Sequence, residues 1–299
     1  MPNVTSRRRL LTSAVACLAV AAAGGTAVEL VSHGVLPGKA ELDRLDGACA
    51  VSGRDVTFGK IGPSVTGSFY SAARGRVVGY EIGFPAGYRA GDGLPLVVML
   101  HGFGGDHRDA LTGLTPAQAV AIAGLRPMAL VTVDGGNGYW NPHPGDDPMG
   151  MLVDELIPRC QRLGLGTGTR RVGAMGISMG GYGALLLAEK HPSLVRAVAA
   201  ISPAVWTSYG QARAANAGAY ASAAGFAAYD VVTHASALAG RVAVRVAAGY
   251  GDPFYPGVQA LAAALPPGAV VDFGKGCHDG SFFTSRQPAS LEFLSESLA

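Results

Sequence analysis

The chain has 299 residues, 49% of them hydrophobic and 15% charged, enough to fill one large α/β core or two small ones. A formal net charge of +2, with no basic stripe in the body of the chain, argues against a nucleic-acid partner. No Cys or His cluster has zinc spacing, and no Gly-rich loop has the Walker or dinucleotide pattern, so neither a metal nor a cofactor is expected.

Ser6-Arg7-Arg8-Arg9-Leu10-Leu11 opens an apolar stretch that runs to about Val28. A basic segment followed by an apolar one is an export signal, here of twin-arginine type, with Ala21-Ala22-Ala23 as a small-residue cleavage site. The alternative is an uncleaved anchor, since about 19 apolar residues can just span a bilayer. Either way the rest of the chain lies outside the cytoplasm, and any membrane association runs through this segment alone. The expected organisation is therefore signal or anchor over 1–30, linker over 31–48 with a short helix at Lys39–Leu45, and catalytic domain over 49–299.

Ser68–Ser71 and Arg76–Ile82 read as two early strands. Leu94–Leu100 is a continuous apolar strand of the kind buried on both faces of a parallel sheet. Thr115 caps a helix with Pro116 at its first position, expected to run to Gly124. Ala129–Val133 is a strand, Asp134–Asp147 a polar and aromatic loop, and Met149–Leu163 an amphipathic helix. A strand at Arg171–Met175, a small-residue helix at Tyr182–Lys190 and a strand at Val195–Ile201 follow. Trp206–Leu238 is irregular and Ala-rich. Arg241–Ala248 and Ala269–Phe273 are the last strands, and Ser281–Leu298 closes as a helix. Alternating strands and helices specify an α/β fold with a doubly wound, mostly parallel sheet. Loops at the carboxyl ends of its strands then converge on one site.

Gly176-Ile177-Ser178-Met179-Gly180-Gly181 joins a strand to a helix through a sharp turn with a serine at its apex. With 44 glycines in the chain, chance alone gives roughly 0.4 such matches, so context decides. The context is favourable. A His-Gly turn, Leu100-His101-Gly102-Phe103, follows an earlier strand, as an oxyanion loop does. A serine hydroxyl needs a base within hydrogen-bond reach, and the chain order is Ser, acid, His. His278 follows the last strand, whereas His191 ends a helix and His234 has no strand before it. Asp252 follows the penultimate strand, with Asp230 the next candidate acid. The backbone N–H groups of Phe103 and Met179 are the expected oxyanion donors. His101, Gly102, Asp134, Tyr139 and Trp140 are the expected substrate contacts, the two aromatics offering flat apolar area unless they pack under their own loop.

Of the four cysteines, Cys17 lies in the leader and Cys160 falls on an apolar helical stripe. That leaves Cys49 and Cys277 as the pair for a disulfide, against three free thiols.

At these residues the chain resembles the esterase branch of the α/β-hydrolases, which includes esterase D, feruloyl esterases and the mycobacterial mycolyltransferases. The resemblance runs from about Gly67 to the C-terminus. Besides the motifs above it rests on Asp154-Glu155-Leu156-Ile157-Pro158, Asp252-Pro253-Phe254 and His278 with Phe282-Phe283. It implies an α/β-hydrolase fold and serine-dependent acyl transfer, with Ser178, Asp252 and His278 as the triad and Phe103 and Met179 as oxyanion donors. His101 stands where the mycolyltransferases carry an acidic residue, and Phe283 where many members have Trp. The leading expectation is an exported, monomeric serine carboxylesterase acting on a small-molecule or lipid ester. One alternative is an acyltransferase on a cell-envelope lipid or sugar. The other is a catalytically silent exported binding protein that keeps the fold.

Overall fold

The computed structural model describes residues 47–51, 56–168 and 170–299. The expected leader, its cleavage site and the lead-in helix expected at Lys39–Leu45 fall outside them. The sheet and its helices lie within the unit Val51–Ala299.

Eight strands form one sheet: β1 (Ile61–Ser71), β2 (Arg76–Pro85), β3 (Leu96–Leu100), β4 (Ala129–Val133), β5 (Val172–Ile177), β6 (Val195–Ile201), β7 (Ala243–Gly249) and β8 (Val270–Gly274). Their order is β1-β2-β4-β3-β5-β6-β7-β8. β2 runs antiparallel to β1 and β4, and every later pairing is parallel. This is the α/β-hydrolase arrangement, with the early hairpin longer than the sequence suggests.

Burial on both faces explains the continuous apolar strands. Leu96, Val98 and Leu100 of β3 join one core cluster, whereas Val97 and Met99 join the other. The first cluster is closed by a helix at Met179–Lys190, through residues such as Leu185 and Leu187. The second is closed by the C-terminal helix Gly280–Ser297, through Leu291 and Leu294.

Two helices differ from expectation. α1 spans only Pro116–Ala119, although Thr115 and Gln118 form the reciprocal capping box. It stops because the next residues pair elsewhere: the Ala123 N–H donates to Thr57 and the Ala121 carbonyl accepts from Gly59. The expected helix over 149–163 is α2 (Pro148–Gly150), a π-helical stretch at Met151–Leu156, and α3 (Ile157–Arg162). Pro158 has no N–H to give to the preceding turn, and the register widens just before it: the Ile157 N–H reaches back five residues to Leu152.

The remaining helices are α4 (Met179–Lys190), α5 (Tyr209–Ala215), α6 (Ala223–Ala228), α7 (Tyr255–Ala264) and α8 (Gly280–Ser297). α5 and α6 give the Ala-rich region two short capped helices, on Ser208 and Ser222. Among the described residues no helix is long and apolar enough to cross a membrane.

Candidate active site

Ser178 sits between β5 and α4 with φ 57° and ψ −121°, a conformation that costs a non-glycine residue energy. The neighbourhood enforces it. The Ser178 N–H donates to Ile201, and its carbonyl accepts from both Tyr182 and Ala204. A Cβ at Gly180 would collide with the Leu100 carbonyl, and one at Gly176 with the Gly180 backbone. Glycine at both positions lets the turn close against the sheet.

His278 Nε2 lies 2.8 Å from Ser178 Oγ, and His278 Nδ1 lies 2.9 Å from Asp252 Oδ2. Asp252 is only 3% exposed, and its other oxygen accepts the Phe254 N–H at 2.8 Å. An ionised carboxylate only accepts, so Nδ1 carries the ring proton and Nε2 is the acceptor facing the serine hydroxyl. Two backbone bonds, Tyr250 N–H to Gly274 and Gly251 N–H to Gly276, tie the loops that follow β7 and β8, and these carry the acid and the histidine. Asp279 caps α8 through the Phe282 N–H, fixing the residue after His278. Phe254 and Phe283 each lie 5.0 Å from the imidazole, on their ring centroids. The alternative acid, Asp230, bonds instead to Val232 and Thr233.

A cleft of about 490 Å³ opens over this group. Gly102, Phe103, Ser178, His278 and Phe283 line it, and so do Asp109 and Thr112, which the sequence reading missed. Met179 is the first residue of α4, where an N–H has no helical acceptor. The Phe103 side chain is 61% exposed at the mouth.

Four expected substrate contacts are placed behind the cleft rather than in it. Trp140 is fully buried, with its Nε1–H donating to the His101 carbonyl at 3.3 Å. Tyr139 is also buried, and its oxygen accepts from Trp206 Nε1 at 2.8 Å. Both residues have φ of 57°, in the left-handed region, and both side chains are buried. Asp134 is consumed by structure: Oδ1 accepts from the His107 backbone and ring, and Oδ2 from Gly79. Burial pulls its carboxyl upward, but these hydrogen bonds outweigh it and leave it below the usual range.

His101 is fully buried. Its Nε2 accepts the Gly135 N–H at 2.9 Å, so Nδ1 holds the proton and donates to Gly102 O at 2.7 Å. Burial lowers its pKa, in keeping with a neutral ring. Asp106, His107 and Asp134 bring ligand-type atoms within 4.8 Å of one another. Their carboxylate oxygens are all engaged by Gly79, His107 and Arg108. Cys160 is free and buried, whereas Cys49 and Cys277 are both disulfide-bonded.

Known proteins agree with this architecture. No curated protein matches the sequence. Among solved structures, a ferulic acid esterase superposes with a TM-score of 0.64 at 18% identity, covering 81% of this chain and 100% of its own. An S-formylglutathione hydrolase from Agrobacterium tumefaciens gives 0.61 at 16%, covering 83% and 100%. MPT51 of Mycobacterium tuberculosis gives 0.57 at 18%, covering 82% and 100%. At such identities the likeness establishes the α/β-hydrolase fold. The family described as "Putative esterase" matches residues 71–265, more than half of the chain, and the protein therefore belongs to that esterase family.

Proposed function

We propose that the protein is an exported serine carboxylesterase that works through an acyl-enzyme. The observation that carries this reading is the unbroken chain from Ser178 Oγ through the His278 ring to buried Asp252, at 2.8 and 2.9 Å. In the first half-reaction Ser178 Oγ attacks the ester carbonyl as its proton passes to His278 Nε2. Asp252 holds the tautomer and stabilises the imidazolium. The N–H groups of Phe103 and Met179 receive the oxyanion. The tetrahedral intermediate collapses with loss of the alcohol, which takes the proton from Nε2. Water then attacks the acyl-enzyme with His278 as base, releasing the acid and free Ser178.

His101 supports the oxyanion donor. Its Nδ1–H holds the Gly102 carbonyl, and that carbonyl shares a rigid peptide plane with the Phe103 N–H. The openness of the site favours hydrolysis over transfer to a selected alcohol. The His278 side chain is 22% exposed and Phe103 is 61% exposed at the mouth, which gives water access. The substrate is a small-molecule or lipid ester. Monomeric action and the twin-arginine route belong to the same proposal, and the two disulfide-bonded cysteines suit an oxidising compartment.

The test is labelling by a fluorophosphonate probe together with hydrolysis of a short-chain p-nitrophenyl ester. Stoichiometric modification of Ser178, and a Ser178→Ala variant slower by several orders of magnitude, are expected. Equal rates in the two proteins refute the reading.

A further inference from the structure

The cleft over Ser178 contains a charge that ester hydrolysis does not need. Asp109 lines it, and no Lys or Arg is among the lining residues. The Asp109 Oδ1 accepts the Asp106 N–H at 2.6 Å, which fixes the side chain in its loop. Arg108, the adjacent cation, directs its guanidinium to Asp106 Oδ2 at 3.3 Å instead. Among the described residues no cation pairs with Asp109, which is exposed and so adds an uncompensated, solvent-screened negative charge at the edge of the cleft.

A carboxylate here opposes the negative charge that develops on the substrate oxygen during attack at Ser178. Its field is unfavourable for a neutral ester, more so for an anionic one, and favourable only for a substrate that brings positive charge. Resting on the esterase reading above, we propose that Asp109 sets the charge preference of the site, favouring esters with a cationic group beyond the scissile bond and rejecting anionic ones. Glutathione thioesters, with a net negative charge, are then poor substrates despite the shared fold with an S-formylglutathione hydrolase.

Matched acetates test this: acetylcholine, its uncharged isostere 3,3-dimethylbutyl acetate, and 3-sulfopropyl acetate. Phosphonates with the same three leaving groups report Ser178 labelling without turnover. At low salt we expect kcat/KM and labelling rate to fall in the order cationic, neutral, anionic, by about fivefold per step for a solvent-screened charge. Asp109→Asn keeps the acceptor for the Asp106 amide while removing the charge, and should compress both ratios toward one. In the wild-type protein 0.5 M salt should compress them too. Absence of the order, its persistence in Asp109→Asn, or its persistence at high salt overturns the proposal. If none of the phosphonates labels Ser178, the esterase reading fails first and carries this proposal with it. Labelling at equal rates overturns the charge preference alone.

Discussion

Trp206 donates its indole N–H to the Tyr139 oxygen at 2.8 Å, joining the segment after β6 to the loop after β4. The indole packs edge-on against Phe254 at 4.7 Å, and Phe254 packs on the His278 ring at 5.0 Å. A buried phenol thus stands at the far end of a row of rings that backs the imidazole. Burial pushes the Tyr139 hydroxyl up to about 12, so it stays protonated over the working pH range.

Tyr139→Phe leaves the Trp206 N–H without its acceptor. The expected cost is about 1–3 kcal/mol of stability, read as a shift in the urea midpoint at constant slope. An unchanged midpoint would mean that water replaces the phenol.

Asp252→Asn removes the carboxylate that orients His278 and stabilises the imidazolium. On the esterase reading kcat falls on the order of 10³ to 10⁴. The near-total burial of Asp252 also predicts that the variant folds with a similar core, since Asn preserves the shape. Measured kcat within tenfold of wild type would assign the acid role elsewhere.

His101 predicts a pH effect of defined sign. Burial lowers its folded pKa, against the raising influence of Gly102 O and the carboxylates Asp134, Asp109 and Asp106. The unfolded chain therefore binds the proton first. Stability is complete above the ordinary histidine value of about 6.5 and declines as pH falls from there toward the lower folded value. His191 is lowered by burial as well, so His101→Gln should remove part of this acid slope and leave the rest. The same variant should reduce kcat about tenfold to a hundredfold, with KM little changed, through misalignment of the Phe103 amide. Thermal melts from pH 5 to 8 and steady-state kinetics check the two parts separately.

Cys277 is disulfide-bonded and directly precedes His278. Reduction should lower stability by about 2–5 kcal/mol and, on the esterase reading, also slow ester hydrolysis, because the freed loop carries the proposed base His278. Melting with and without reductant, paired with initial rates, tests both. A rate that survives reduction intact would show that the β7 and β8 loop bonds hold the histidine without the bridge.

On the proposed twin-arginine reading of the N-terminal segment, replacing Arg7 and Arg8 by Lys should block export, with precursor accumulating in the cytoplasm. Normal export of the Lys pair would assign the leader to the general secretory route.

Much of this molecule is determined locally and therefore legible in sequence. Uninterrupted apolar runs such as Leu96–Leu100 mark strands buried on both faces, and strand alternation with helices specifies the parallel sheet. The glycines around Ser178 mark a turn that only such a sheet needs, and chain order after strands picks out Asp252 and His278. What the tertiary structure decided is the direction of side chains inside loops. Tyr139 and Trp140 lie in a loop whose residue types suit a substrate wall, but both side chains are buried, with Trp206 and His101 as their hydrogen-bond partners. α1 ends early because distant residues, Thr57 and Gly59, claim its next backbone groups. Asp109 and Thr112 reach the cleft only because their loop folds back beside β5 and α8, and no periodicity in their own segment records that encounter. Hydrogen bonds and contacts between residues far apart in the chain have no local signature, and in this protein they separate the residues that line the cleft from those that brace it.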